Sequence, residues 1–563
     1  MMNKGIHKHI ALFLLIVFTL LLSQSKGHAV PAPPFIHTLS QSDGTTFKAR
    51  QWGDESCHGW ETEDGYTIVF DKSINNWTYA IQNNDGKLIS SSKIVGVDNA
   101  PDSCSQRLRP VGRARSNIIK RMMTRERLIN SMERETTPEK SEILQMNILA
   151  TGTTNIPTIL INFNDTTPTY TKEDFASLLF GTGNYSLKDY FEEVSYGKYS
   201  VSSGPGGVAG WYTASKTHDY YGQNLNDEQG NDKWVGDLVY EAVKAADANI
   251  NFSDYDMDED GYVDIVNIIH QGTDEAASGD SSDIWAHRSS LNDSKEYFGG
   301  NYGEYTTNDK NSEGEYVKIN DYIIIDENSP DGAIETVGVF AHEYGHALGL
   351  PDLYDTDASS AGVGYWSLMA TGVYNYVTIS GDRPAHLDAW CKYYLGWITP
   401  TQVKETLTDE LIEQTATASD VYKLLGGKPL SGEYFLVENR QKTGFDEGLP
   451  GAGLLIWHVD GDVIKKKIKK NKVNDKECYP PSNCSKKHYG VALVQADGMW
   501  DMEKGSNYGD EGDPYPGSAN NTSFTTSSSP SSKLYKKKNK KISITDISST
   551  GTNITATLSV NGK

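Results

Sequence analysis

Five residues in the second half of the chain, His342-Glu343-Tyr344-Gly345-His346, constrain it more than any other stretch. Histidines four positions apart lie about one turn apart on a helix, so both imidazoles leave the same face and can share one zinc ion. Glu343 stands beside the first of them, where its carboxylate can reach a water on that ion and act as general base. Gly349 follows His346 by three residues and can take the left-handed conformation that turns a chain out of its helix. Asp352 follows three residues later, placed to return beneath the same ion as third ligand. Seventeen residues beyond it, Met369 sits in the small-residue turn Tyr365-Trp366-Ser367-Leu368-Met369-Ala370-Thr371-Gly372, which suits a hydrophobic floor under a metal. Tyr374 and Tyr376, just after that turn, are candidate oxyanion donors, with aromatic packing as the alternative role.

The segments HEYGHALGLPDLY (342–354), GYWSLMATG (364–372), YFLVENRQ (434–441), GLLIWHVD (453–460), GDEGDPYPG (509–517) and ETEDGYTI (61–68) extend the pattern along most of the chain. In these motifs the sequence resembles the immune inhibitor A group of secreted metallopeptidases. The resemblance implies a metzincin-like zinc endopeptidase domain of α/β (α+β) type, made as a precursor and stabilised by calcium. It also implies aspartate where most metzincins have a third histidine, and Asp352 matches that variant. Two neutral imidazoles and one carboxylate leave a zinc centre near +1, so its water is acidified less and more of the deprotonation falls to Glu343.

At 563 residues the chain exceeds one compact core and should form several units. Residues 1–29 read as a signal peptide, with Lys4 and Lys8 ahead of an apolar run over 10–22 and a small-residue exit at Gly27-His28-Ala29. That run is too short to span a membrane, and no later one is apolar enough, so a secreted protein without a stable membrane anchor is expected. Residues 30–140 read as a propeptide inhibitor: strand-like pieces at 66–70 and 77–81, then a basic arm over 107–134 with nine basic and two acidic residues. The catalytic region, 150–400, should hold strands at 156–163, 265–269 and 322–325. Its helices should lie at 171–180, 187–194, 232–248 and 334–348. A β-rich C-terminal region, 401–563, follows, with strands at 434–438, 453–459, 491–495 and 542–558.

Charge is divided unevenly. The net charge is −23, but residues 1–140 carry +4 and residues 141–563 carry −27, which disfavours a nucleic-acid partner and fits an acidic body facing a basic arm. Part of the acid has calcium-loop spacing: Asp256, Asp258, Asp260 and Asp264 surround Gly261, although Asn267 replaces the glutamate expected at the twelfth position. A second acidic cluster, Asp497, Asp501, Glu503, Asp510 and Asp513, is a less regular calcium candidate. Lysine clusters at 465–472 and 533–541 read as exposed loops, and His270, His287 and His458 as core or edge histidines.

Among the five cysteines, Cys478 and Cys484 suit a small disulfide loop, and Cys391 a buried thiol. Cys57 could pair with Cys104 or, as a thiolate, block the zinc. The expected function is a secreted zinc endopeptidase that cleaves proteins and peptides. The competing readings are a catalytically silent, peptidase-like binding or adhesion protein and a structural calcium-binding surface protein.

Overall fold

The computed structural model describes residues 28–111, 148–225, 230–536 and 540–562. The apolar run at 10–22 and the basic arm beyond residue 111 lie outside the described residues. Three β-rich units follow one another around a single buried helix.

The central unit is a six-stranded sheet ordered His28–Ala29, His287–Ser290, Asp321–Asn328, Val266–Thr273, Thr158–Asn162 and Val208–Thr213. The last four strands run parallel, while His287–Ser290 joins antiparallel and His28–Ala29 adds antiparallel outside it. Strand alternation sorts the apolar side chains between two cores. Ile159 and Ile161 enter one with the Val235–Ala246 helix; Leu160 enters the other with the helices Leu187–Val194 and Val337–Ala347. Ile268 and Ile269, and Ile324 and Ile325, divide the same way. The mixed α/β character expected for this region is therefore present. The helices Val235–Ala246 and Val337–Ala347 are shorter than the expected runs 232–248 and 334–348, beginning after Trp234 and Thr336.

The N-terminal unit is an antiparallel meander of six strands, from His37–Ser40 to Leu88–Ile94, each paired with the next in sequence. Its first described residues leave it. His28–Ala29, which the sequence places at the end of the expected signal peptide, pair with the central sheet, and Ala29 and Val30 are wholly buried.

The C-terminal region forms a five-stranded and a three-stranded sheet. The 542–558 run, expected as one strand, is a hairpin of Lys540–Thr545 and Asn553–Gly562. Glu433–Arg440 and Gly453–Asp460 are buried along their whole length, and Phe435, Leu436 and Trp457 share one hydrophobic cluster with Trp366, Met369 and Tyr344. This region is thus packed onto the same core as the central unit. The first lysine cluster is likewise no loop: Gly461–Lys467 and Ile468–Lys470 are helical and anchored by buried Ile464 and Ile468.

Cys478 and Cys484 form a disulfide, and Cys391 is a buried thiol. Cys57 and Cys104 are both thiols, so the pairing considered for them is not formed. Cys57 packs beside Trp52, Ala80 and Leu88 in the N-terminal unit rather than among the groups gathered at the histidines. Among the described residues no helix is long and apolar enough to cross a membrane.

Candidate metal centre and active-site cleft

Val337–Ala347 is buried throughout, which lets it carry polar groups into a dry interior at fixed positions. It stops at Gly349, whose φ of +89° reverses the chain, with the Gly349 N–H bonded to the His346 carbonyl at 2.9 Å. The reversal brings Asp352 back beneath the histidines.

The donor set can be read from its hydrogen bonds. His342 Nδ1 lies 2.8 Å from the Leu368 carbonyl and His346 Nδ1 lies 2.9 Å from the Leu350 carbonyl. A carbonyl only accepts, so both protons reside on Nδ1 and both Nε2 atoms present bare lone pairs. Those Nε2 atoms are 3.1 Å apart, and Asp352 Oδ1, which accepts no hydrogen bond, lies 3.3 Å from each. Three buried acceptors converge with no proton among them, which is stable only around a cation. A tetrahedral ion with bonds of about 2.0–2.1 Å has ligand–ligand edges of about 3.3 Å, so the set fits zinc.

Electrostatics follow from burial. Burial pushes the carboxyl of Glu343 well up, and the nearby charges of Asp352 and Glu55 add to it. The backbone N–H groups of Val30 and Arg288 face the Glu343 carboxyl and partly offset this rise, and the side chain is grouped with His342 and His346. Met369 lies directly under the helix: a Cβ at Gly345 would come 2.7 Å from its Sδ. The Met369 turn is itself held, with Ser367 Oγ donating to Asp388 at 2.7 Å and Arg440 donating to the Trp366 carbonyl at 3.3 Å.

The N-terminal strand crosses this centre. The His28 ring sits 4.6 Å from the His346 ring. The next three carbonyls are each taken by a donor of the catalytic region. Tyr354 donates to Ala29 at 2.9 Å, Trp285 Nε1 to Val30 at 3.0 Å and Tyr374 to Pro31 at 2.7 Å. Tyr374 is thus a buried hydroxyl donor at the cleft, whereas Tyr376 is 61% exposed. The pairing of this strand was missed in sequence because its small residues also suit the signal-peptide exit expected there. Asn471, hydrogen-bonded to Asp352 from the C-terminal region, was missed because nothing in a lysine run marks a metal-site residue.

Of the acidic candidates, Asp256, Asp258 and Asp260 bring their oxygens within 4.8 Å of one another around the turn at Gly261. Asp256 Oδ1 is buried without a hydrogen bond. Asp264 turns toward the loop and accepts from the Met257 N–H at 3.1 Å. Burial, with like charges adding to it, pushes Asp260 up to about 6 and Asp264 up to about 7. Asp510 and Asp513 lie side by side but are occupied by N–H donors: Trp366 Nε1 and the Asp510 N–H bond Asp513, and Asn507 and the Gly512 N–H bond Asp510. His270, His287 and His458 are buried with hydrogen-bond partners.

Comparison with known proteins places these features in a family. Residues 162–398 match the family described as immune inhibitor A peptidase M6, catalytic domain. The pre-pro-metalloprotease PrtV of Vibrio cholerae serotype O1 is 28% identical over 388 residues, covering 57% of this chain and 40% of the relative. Immune inhibitor A of Bacillus thuringiensis subsp. alesti is 34% identical over 246 residues, covering 36% of this chain and 32% of the relative. The chain therefore spans well under half the length of these curated relatives. Its segment 162–398, with the histidine helix, the glycine reversal and the methionine turn, is thus similar to the catalytic domain of the immune inhibitor A peptidases, M6.

Proposed function

We propose that this protein is a secreted zinc-dependent endopeptidase, made as a zymogen, that hydrolyses peptide bonds in proteins. The observation that carries the reading is the convergence of three bare acceptors, His342 Nε2, His346 Nε2 and Asp352 Oδ1, at 3.1–3.3 Å beside the buried carboxyl group of Glu343. These three residues would hold the metal. Zinc bound there supplies a Lewis acid that acidifies a water and polarises a peptide carbonyl. Glu343 accepts the proton of that water and delivers it to the departing amine, a transfer favoured by the raised proton affinity of its dry setting. Tyr374 is the candidate hydroxyl for the developing oxyanion once its present partner, the Pro31 carbonyl, has left. Tyr376 is a weaker candidate because it faces solvent.

Latency would come from the N-terminal strand. It adds to the edge strand His287–Ser290, engages three cleft donors and covers His346, so a substrate cannot occupy the same place. We set the signal-peptide cut ahead of His28, which keeps this strand in the exported precursor. Calcium is proposed at Asp256, Asp258 and Asp260, backed by Asp264. Asp510 and Asp513 form a second calcium candidate, supported only by their adjacency.

The test is casein or gelatin hydrolysis by the processed protein, compared with Glu343→Ala. Hydrolysis should vanish while bound zinc, measured by elemental analysis, stays near one per chain. Undiminished hydrolysis in the variant refutes the mechanism. A wild-type protein that binds zinc and hydrolyses nothing would favour the silent binding protein.

A further inference from the structure

The metal centre depends on a residue from outside the matched peptidase segment. Asn471 lies 119 positions beyond Asp352 and makes two bonds to it: its Oδ1 accepts the Asp352 backbone N–H at 2.8 Å, and its Nδ2 donates to Asp352 Oδ2. This closed pair fixes the main chain and the carboxylate of one residue together. It also distinguishes the two oxygens. Oδ2 is occupied by the amide, so Oδ1 alone is left facing the two Nε2 atoms.

The local sequence explains how asparagine comes to stand there. The chain leaves the helical turn Ile468–Lys470 with Asn471 in the left-handed region at φ 50°, which asparagine tolerates better than most residues with a Cβ. Buried Ile464 and Ile468 fasten that turn to the core. The following residues continue the grip on the ligand loop: Asn474 Nδ2 donates to the Leu353 carbonyl at 2.8 Å, and Asp475 accepts from Thr356 Oγ1 at 2.7 Å. Segment 471–475 therefore cradles segment 352–356, with its first contact on the metal ligand itself.

We propose that Asn471 is a positioning residue for the zinc ligand Asp352, and that the C-terminal region is in this way part of the metal centre. The inference rests on the zinc reading above. A partner that orients a ligating carboxylate typically changes metal affinity or activity 10–100-fold when removed.

The test uses the full chain with Asn471→Gly, which keeps the left-handed backbone and deletes the amide, and Asn471→Asp, which keeps the shape and replaces the donor by an acceptor. Asn474→Ala serves as control, because Asn474 touches only main chain, the Leu353 carbonyl in the cradle and the N–H and carbonyl of Val491 outside it. Zinc affinity is read by competition with a chromophoric chelator, and folding by thermal melting in excess zinc. Both Asn471 variants should lose about 10–100-fold in zinc affinity. The control should shift the melting temperature while changing zinc affinity less than threefold. In the processed enzyme at saturating zinc, kcat should fall with KM little changed. Zinc affinity within twofold of wild type in both Asn471 variants overturns the proposal, as does an equal loss in the control. Absence of zinc binding in the wild-type chain would instead defeat the underlying reading. If Asn471→Gly fails to fold, Asn471→Asp alone decides.

Discussion

Gly345 tests whether Met369 is a load on the histidine helix or merely a neighbour of it. Replacing glycine by alanine inside a helix ordinarily stabilises by about 0.5–1 kcal/mol, since less backbone freedom is lost on folding. Here the new methyl would stand 2.7 Å from Met369 Sδ, 3.4 Å from its Cε and 3.8 Å from Leu350 Cδ1. The first distance is well inside van der Waals contact, and the sulfur sits mid-chain in a fully buried side chain, so Met369 must shift. Overpacking of this kind costs about 1–3 kcal/mol. The net effect of Gly345→Ala should be a loss of about 1 kcal/mol, together with weaker zinc retention because the floor beneath both histidines has moved. Met369→Ala should cost about 2–5 kcal/mol through its cavity. In the Met369→Ala background the clash is gone, so Gly345→Ala should now stabilise by about 0.5–1 kcal/mol. The four-member cycle, measured by denaturant unfolding of the precursor at fixed zinc, should therefore show a coupling of about 1–3 kcal/mol. Additivity within about 0.5 kcal/mol, or an equal gain from alanine in both backgrounds, would refute the packing argument.

Three further measurements probe other parts of the molecule. Burial pushes the Asp293 carboxyl up to about 7 from 3.8, so the folded state keeps a proton that the unfolded chain has lost. Stability should fall as pH rises from about 4 to 7, by up to about 4 kcal/mol, and Asp293→Asn should flatten that slope in pH-dependent unfolding. Chelators should act twice: a zinc-selective one should stop hydrolysis with a small change in melting temperature, whereas a calcium-selective one should lower the melting temperature, and Asp258→Asn should remove the second response. Saturation at 100 times the dissociation constant corresponds to about 2.7 kcal/mol of stabilisation. Trp285→Phe and Tyr354→Phe each delete one donor to the N-terminal strand, so the precursor should mature faster, with latency weakened by about 0.5–1.5 kcal/mol per bond; unchanged maturation in both would count against strand-mediated latency.

What could be read from sequence was what short range encodes. The helix, its reversal at Gly349 and the turn carrying Met369 fall within 28 residues, and helical spacing alone relates His342 to His346. The buried parallel strands also announced themselves, because runs such as Ile323-Ile324-Ile325 are apolar on both faces. Long-range pairing left no such trace. Asn471 reaches Asp352 only because three sheets pack on one core, and a lysine run conceals the two isoleucines that hold it in place. His28–Ala29 looked dispensable because small residues serve equally at a protease cut and in a tight cleft. The independence of the C-terminal region was likewise undecidable until Phe435 and Trp457 were seen in one cluster with Met369.

The three donors that grip the N-terminal strand, Tyr354, Trp285 and Tyr374, address carbonyl oxygens alone. Such a grip is indifferent to side-chain identity, and its last acceptor belongs to Pro31, which has no amide hydrogen to offer. A cleft that reads acceptors in this way accommodates an imino acid at that last position, whereas the pairing of His28–Ala29 with His287–Ser290 still calls on amide hydrogens. Peptides copying the sequence His28–Pro34, with backbone methylation confined to the residues after Val30, would keep all three contacts and the ladder, making them ligands for the proposed mature cleft.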